Sequence, residues 1–403
     1  MVGYALGHKG LVNARKVYAQ TGMALPVSPP VRQAACRLRW SEHIHRGHTM
    51  KRRHFHLLAL SAALPELAHA RKPVRATPID AIAQIKALRI TTGPLSRGYL
   101  IAPNGRLNWY FTNLGLLPMV QYLNATDLDT DIRQYLDLYL SRVESNSTIF
   151  DVNFNDASLQ NITLVPSDSD NSYAATLASL TARYLRASGN WSWWDANKAK
   201  LQTIVDANVT ALQKPNGLCR VFQPLRSSPV ANYGYLMNNA EDYRGLRDFA
   251  AIWALRGEST LANHYNNVAS TIAQSILLYL WDSGHSGFKV SDQEAYVDST
   301  SFYPGTTCQV FPQAFGISEL SPYFTPAYQF LNRYSPQWPK DIYDPYPWCM
   351  LGYVAAKRGD TVRAQTQMLA TEQKYATAPA LVTINELGFY LRTQSLLNGF
   401  GDI

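Results

Sequence analysis

Apolar residues recur every three or four positions along most of the chain. The spacing predicts helices over 78–88, 108–123, 128–143, 171–187, 194–213, 239–256, 259–281, 308–318, 323–333, 345–357, 360–375 and 384–397. In LDTDIRQYLDLYLSRV, for example, Leu128, Ile132, Tyr135, Leu136, Leu138 and Tyr139 fall largely on one side. Gly189, Gly257 and Gly359 stand at or near helix ends, as C-caps should. Strand-like alternation is confined to short pieces such as 149–154 and 286–290. The helices starting near 108, 171, 239, 308 and 345 are rich in small and apolar residues, whereas 128–143, 194–213 and 360–375 carry charged faces. Buried and half-exposed helices in alternation predict two concentric rings of helix hairpins, an all-α (α/α)6 barrel in one domain over 71–403. A helical solenoid would show a fixed-period repeat, and the sequence has none.

In such a barrel the inner helices run parallel, so their starts share one rim. Those starts read GRLNWYFTNLG (105–115), PSDSDNSYAAT (166–176), YGYLMNNAEDYRGL (233–246), YVDSTSFYPGTTCQVFPQAFG (296–316) and DIYDPYPWCMLGY (341–353). All mix Asp, Asn or Glu with Tyr or Trp. Aromatic residues with carboxylates among them suit carbohydrate, whose C–H faces stack on rings and whose hydroxyls pair with polar groups. Hydrolysing a glycosidic bond takes two carboxyl groups, one acid and one base or nucleophile.

Charge and cysteine usage narrow the class. Met50 opens MKRRHFHLLALSAALPELAHA, with a basic start, an apolar run at 57–64 too short to span a bilayer, and the small-x-small triplet Ala68-His69-Ala70. Residues 50–70 read as a secretory signal peptide, and 1–49 as non-structural upstream sequence. Ten of the 37 Lys and Arg and two of the 29 Asp and Glu lie before Arg71, which leaves 27 of each. The formal charge of +8 therefore belongs to the leader, and a nucleic-acid partner loses its support. The expected location is periplasmic or secreted, from a bacterium, with no stable membrane span after cleavage. Cys219, Cys308 and Cys349 are far apart, and only His264 and His285 follow Arg71, so buried thiols are a better reading than a zinc site. No metal and no cofactor are expected.

The catalytic candidates are Asp168, Asp170, Glu241 and Asp298. Each has a bland alternative. Asp168 and Asp170 sit where a helix needs one N-cap, and the unbroken polar run 167–172 offers more candidates than one cap uses. Glu241 and Asp242 suit a first helical turn, with Arg244 able to pair with either. Asp298 lies in a polar loop; Asp341 and Asp344 are weaker candidates, with Asp344-Pro345 explained by turn chemistry, and Glu386 reads as structural unless it faces the cleft. The substrate-binding candidates are Trp109, Tyr110, Tyr173, Asn239, Arg244, Tyr346 and Trp348, against the usual reading of aromatics as core. Trp191, Trp193 and Trp194 read as packing on the opposite face.

PSDSDNSYAATLASLTARYL resembles the Asp-x-Asp helix start of (α/α)6 endoglucanases of glycoside hydrolase family 8, where it faces the sugar at the cleavage point. YLMNNAEDYRGLRDFA and GRLNWYFTNLG resemble the wider six-hairpin glycosidase superfamily, in a helix rhythm covering most of 90–397. Family 8 draws its general acid from a Glu near the first inner helix, and no Glu lies between Arg71 and Val143. The resemblance therefore extends to the superfamily. It implies an exported hydrolase of a polysaccharide, an exopolysaccharide or a glucan, acting by inversion. A polysaccharide lyase and a non-catalytic carbohydrate-binding protein on the same barrel are the alternatives.

Overall fold

The computed structural model describes residues 78–401 apart from residue 225; the boundaries at 49 and 70 lie outside the described residues. In chain order the helices are α1 (Ala81–Ala87), α2 (Trp109–Leu116), α3 (Ala125–Asp127 running through a wider turn, Leu128–Arg133, into Gln134–Arg142), α4 (Asn171–Ser188), α5 (Trp191–Asn208) and α6 (Leu236–Leu255). There follow α7 (Ser259–Ser275), α8 (Phe302–Thr306 and Thr307–Val310 leading into Phe311–Ala314), α9 (Ser321–Tyr334), α10 (Cys349–Lys357), α11 (Thr361–Thr377) and α12 (Ile384–Leu397).

Even-numbered helices form the inner ring. Each packs on the next, α2 on α4, α4 on α6, α6 on α8, α8 on α10 and α10 on α12, and α12 returns to α2. Burial separates the rings: α4 buries 14 of its 18 residues, α5 only six of its 18. A helix buried all round cannot sit on the outside, so α4 is inner and α5 covers it. The (α/α)6 expectation therefore holds. Glycine sets the closest approaches. A Cβ on Gly245 of α6 would lie 2.5 Å from the Ala175 carbonyl oxygen of α4. The ring closes where Gly115 of α2 and Gly388 of α12 let two backbones touch; a Cβ on Gly388 would lie 2.8 Å from the Leu114 carbonyl oxygen.

Local differences from the pattern have local causes. The helix expected over 345–357 begins only at Cys349, because Pro345 and Pro347 hold the preceding chain extended. The helix expected from 308 begins six residues earlier, at Phe302, and ends at Ala314. The strand expected over 149–154 is β1 (Phe150–Phe154), and its antiparallel partner β2 (Ile162–Pro166) pairs Asp151 with Val165 and Val152 with Leu164. A second short pair joins β3 (Trp281–Asp282) to β4 (Gly287–Phe288). Trp191, Trp193 and Trp194 form the first turn of α5, and Trp194 packs on Phe249 and Trp253 of α6 with ring centroids 6.0 and 4.9 Å apart. Cys219, Cys308 and Cys349 are free and buried. No helix among the described residues is long and apolar enough to cross a membrane.

Candidate active site

The starts of the inner helices meet at one rim. Asn108, capping α2 through Phe111 N–H (2.8 Å), donates to the Tyr173 hydroxyl of α4 (2.7 Å). Asn171 of α4 donates to Asp242 of α6 (2.7 Å) and accepts from Asn238 (3.1 Å). Tyr303 of α8 stacks on Trp348 beside α10 (4.8 Å), and Cys349 N–H of α10 donates to Glu386 of α12 (2.6 Å).

Two of the four expected catalytic acids, Glu241 and Asp168, bear on one phenol here, the first by contact and the second through its charge. Tyr110, in the first turn of α2, donates to Glu241 Oε1 across the ring at 2.5 Å. Its ring stacks on Tyr173, centroids 5.8 Å apart. Burial pushes the Tyr110 hydroxyl well above its ordinary pKa, and the charges of Glu241 and Asp168 push the same way; the Tyr303 hydroxyl is also within electrostatic range. Asp168 itself is exposed and makes no hydrogen bond or ion pair among the described residues, so its carboxylate is open to water and solute. Glu241, by contrast, is buried.

Asp170 and Asp298, the other two expected acids, are engaged elsewhere. The Asp170 side chain is fully buried and faces the 220s loop: Oδ1 takes Arg226 Nη1 at 2.8 Å, Oδ2 takes Gln223 N–H at 2.9 Å, and its own N–H donates to Val221 O at 2.9 Å. Burial raises its pKa and the Arg226 charge opposes that. It anchors a loop and makes no side-chain cap bond to α4. Two residues apart, the acids point to different sides, because the segment is not yet helical. Asp298 is consumed by its own turn, accepting from Thr300 N–H (2.8 Å), Thr300 Oγ1 (2.7 Å) and the Ser301 hydroxyl. Burial alone would raise its pKa, but the Ser301 and Thr300 donors outweigh burial and lower it. Asp242, beside Glu241, is fully buried; burial drives its pKa well up, and its Oδ2 accepts from Asn171.

Among the expected sugar ligands, Tyr110, Tyr346 and Trp348 are half-buried at the rim, and Tyr173 stands behind Tyr110. Tyr346 N–H and Trp348 Nε1 both donate to Asp344 (3.1 and 3.4 Å), which fixes that turn. Trp109 and Asn239 do not belong to the rim, whereas Arg244 lines one recess with Glu241. Trp109 is fully buried, its Nε1 donating to Phe150 O (2.7 Å) and its ring packed on Tyr135 and Tyr139. Asn239 clamps the Cys219 backbone, accepting its N–H at 2.7 Å and donating to its carbonyl at 3.1 Å. Arg244 pairs with Asp248 (2.8 Å) farther down α6.

Two acids gain importance from the structure. Asp151 projects inward from β1 and accepts from Asn108 (2.7 Å), the Tyr173 hydroxyl (2.8 Å) and Trp109 N–H (3.3 Å). Burial raises its pKa to about 7, Arg106 opposes, and Asp168 adds to the rise. The sequence signal was an acid between two apolar residues, Phe150 and Val152, in the strand FDVNF. Glu386 is buried at the start of α12; burial carries its pKa to about 8 against the Cys349 N–H, with Asp341 raising it further. Among the described residues no group of three or more His, Cys, Asp or Glu is placed to hold a metal ion.

No protein-family model matches the chain, and no curated protein matches it. Solved structures do. A rhamnosidase from Klebsiella oxytoca with rhamnose bound is similar over 81% of this chain and 65% of its own, with a TM-score of 0.56 at 13% identity. The chain thus spans just under two thirds of that rhamnosidase. A glycosidase variant in complex with glucose is similar over 80% of this chain and 96% of its own, with a TM-score of 0.50 at 14% identity. What this chain shares with these two glycosidases is the fold, a barrel of helical hairpins.

Proposed function

We propose that the protein is a glycoside hydrolase that cleaves a polysaccharide or oligosaccharide with Asp168 and Glu241, with inversion at the anomeric carbon. The observation that carries this is the hydrogen bond that Tyr110 makes across the ring to buried Glu241, on a phenol that also feels the charge of exposed Asp168. Glu241, positioned by the Tyr110 hydroxyl, gives its proton to the glycosidic oxygen. Asp168, open to solvent, takes a proton from the attacking water. The ring of Tyr110 and the Tyr303–Trp348 stack give the sugar flat faces to lie on. Inversion requires a carboxyl separation of roughly 6.5–9.5 Å, room for one water. The rhamnose and glucose held by the two solved structures support a sugar as substrate.

A lyase would need a phenol or imidazole base at the sugar. Burial and neighbouring carboxylates push Tyr110 and Tyr173 well upward in pKa, the wrong direction for a base. Reducing-end release from a panel of exopolysaccharides and glucans tests the proposal. The wild type releases sugar, while Asp168→Asn and Glu241→Gln lose about 10²–10⁴-fold in rate. Substrate that binds without being cut by the wild type makes the protein a binder, and an unsaturated product absorbing in the ultraviolet makes it a lyase. Proton NMR of the fresh product reads the anomeric outcome. The proposal includes export, tested by N-terminal sequencing of protein recovered from the periplasm or medium: a start at Arg71 supports it, and retention of the 50–70 segment overturns it.

A further inference from the structure

Arg106 stands just before the Asn108 cap of α2, where the chain runs beside β1. Leu107 and Val152 exchange backbone hydrogen bonds at 2.9 and 3.0 Å, which sets Arg106 and Asn108 next to Asp151. Asn108 spends its side chain there: it donates to Asp151 and Tyr173 and caps α2. Arg106 does not. Its guanidinium N–H groups have no hydrogen-bond acceptor among the described residues, and Nε is buried without one.

The ion pair of Arg106 is with Asp151 Oδ2 at 3.9 Å, beyond hydrogen-bonding distance. That oxygen already accepts from Asn108 at 2.7 Å and from the Tyr173 hydroxyl at 2.8 Å. Burial also lifts the Asp151 pKa to about 7, so Asp151 carries only part of a charge at neutral pH. The Arg106 side chain is 27% exposed, largely out of water yet reachable from it. Its charge and that of open Asp168 act on the same Tyr173 hydroxyl in opposite directions, so both lie on one side of the rim, and they form no ion pair with each other. A half-buried cation with empty donors is costly, and an acceptor that arrives with the substrate offsets the cost. Sugar hydroxyls can accept from a guanidinium but leave its charge unbalanced. A carboxylate does both, through paired N–H donation.

We infer that Arg106 receives a carboxylate of the substrate, on a uronic acid or a ketal-linked pyruvate, which makes that substrate an acidic polysaccharide. The inference rests on the hydrolase reading for where the sugar lies; its own test is binding, which does not require cleavage.

The experiment is calorimetric titration of the full chain with acidic exopolysaccharides and with the same polymers after carboxyl reduction, which keeps every linkage and removes the charge. The native polymer should bind about tenfold or more tighter, the worth of one charge-assisted pair. Mild acid, which strips pyruvate ketals and leaves uronates, tells the two carriers of the carboxylate apart. Arg106→Gln should bind native and reduced polymer alike. Arg106→Lys keeps the charge without the fork and should keep part of the difference. Where sugar is released, the loss in Arg106→Gln should fall on KM more than on kcat. Circular dichroism confirms that each variant folds, and the wild-type comparison needs no variant. Equal binding of native and reduced polymer by the wild type, no binding of any native polymer, or an undiminished preference in folded Arg106→Gln overturns the inference. A preference for the native polymer without sugar release leaves Arg106 its role and defeats the hydrolase reading instead.

Discussion

The two aspartates that open α4 should part company when each loses its charge. Asp170→Asn removes the anion from a pair whose acidic partner is fully buried and whose Arg226 is about a quarter exposed. Breaking a wholly buried pair costs about 3–5 kcal/mol. Arg226 can recover some water, and the Asn oxygen can still accept Gln223 N–H, so about 2–3 kcal/mol is expected, with each charged hydrogen bond contributing about 1.5–3 kcal/mol. At about 2 °C per kcal/mol for a domain of this size, the melting temperature should fall by about 4–6 °C. Asp168→Asn touches an exposed side chain with no internal partner among the described residues, so its stability change should stay within about 0.5 kcal/mol. Its rate of sugar release should fall about 10²–10⁴-fold. The assay is differential scanning calorimetry beside reducing-end kinetics, both at pH 7. Swapped results, with Asp170→Asn stable but inactive and Asp168→Asn unstable but active, would refute the assignment of one acid to chemistry and the other to the loop.

Tyr110→Phe removes the phenol that Glu241 accepts, and the rate should drop about tenfold or more with little change in fold; an unchanged rate detaches Tyr110 from the chemistry. Glu386 carries a pH signature. Its folded pKa, about 8, lies above its ordinary 4.5, so between those values the native state holds a proton the unfolded chain has lost. Its contribution is complete below about pH 4.5 and is lost as pH rises through 8, at up to about 1.4 kcal/mol per pH unit. Urea titrations at several pH values should show a flatter profile for Glu386→Gln than for the wild type, and identical slopes would contradict the burial argument. Gly245→Ala sets a methyl 2.5 Å from the Ala175 carbonyl oxygen, so α4 and α6 must move apart at about 1–3 kcal/mol, read as a lower denaturation midpoint.

Helical periodicity and the alternation of apolar and charged helices were enough to derive the double ring, because a helix's burial is written in how many of its faces are apolar. The same logic located the rim, since parallel inner helices bring their starts together wherever they lie in the chain. The sequence also singled out Asp168, Glu241 and Tyr110. It left open which way each side chain turns. Asp168 and Asp170 have the same chemistry two residues apart, and only the packing of the 220s loop, with Arg226 and Gln223, takes one and leaves the other in solvent. Asp298 and Asn239 spend their hydrogen-bonding groups on their own turn and on the Cys219 backbone, contacts that composition does not record. Asp151 and Glu386 owe their raised pKa values to burial, a property of the assembled ring that no local run of residues carries. Periodicity is a one-dimensional signal and survives in the sequence; side-chain direction and desolvation arise only when distant helices meet.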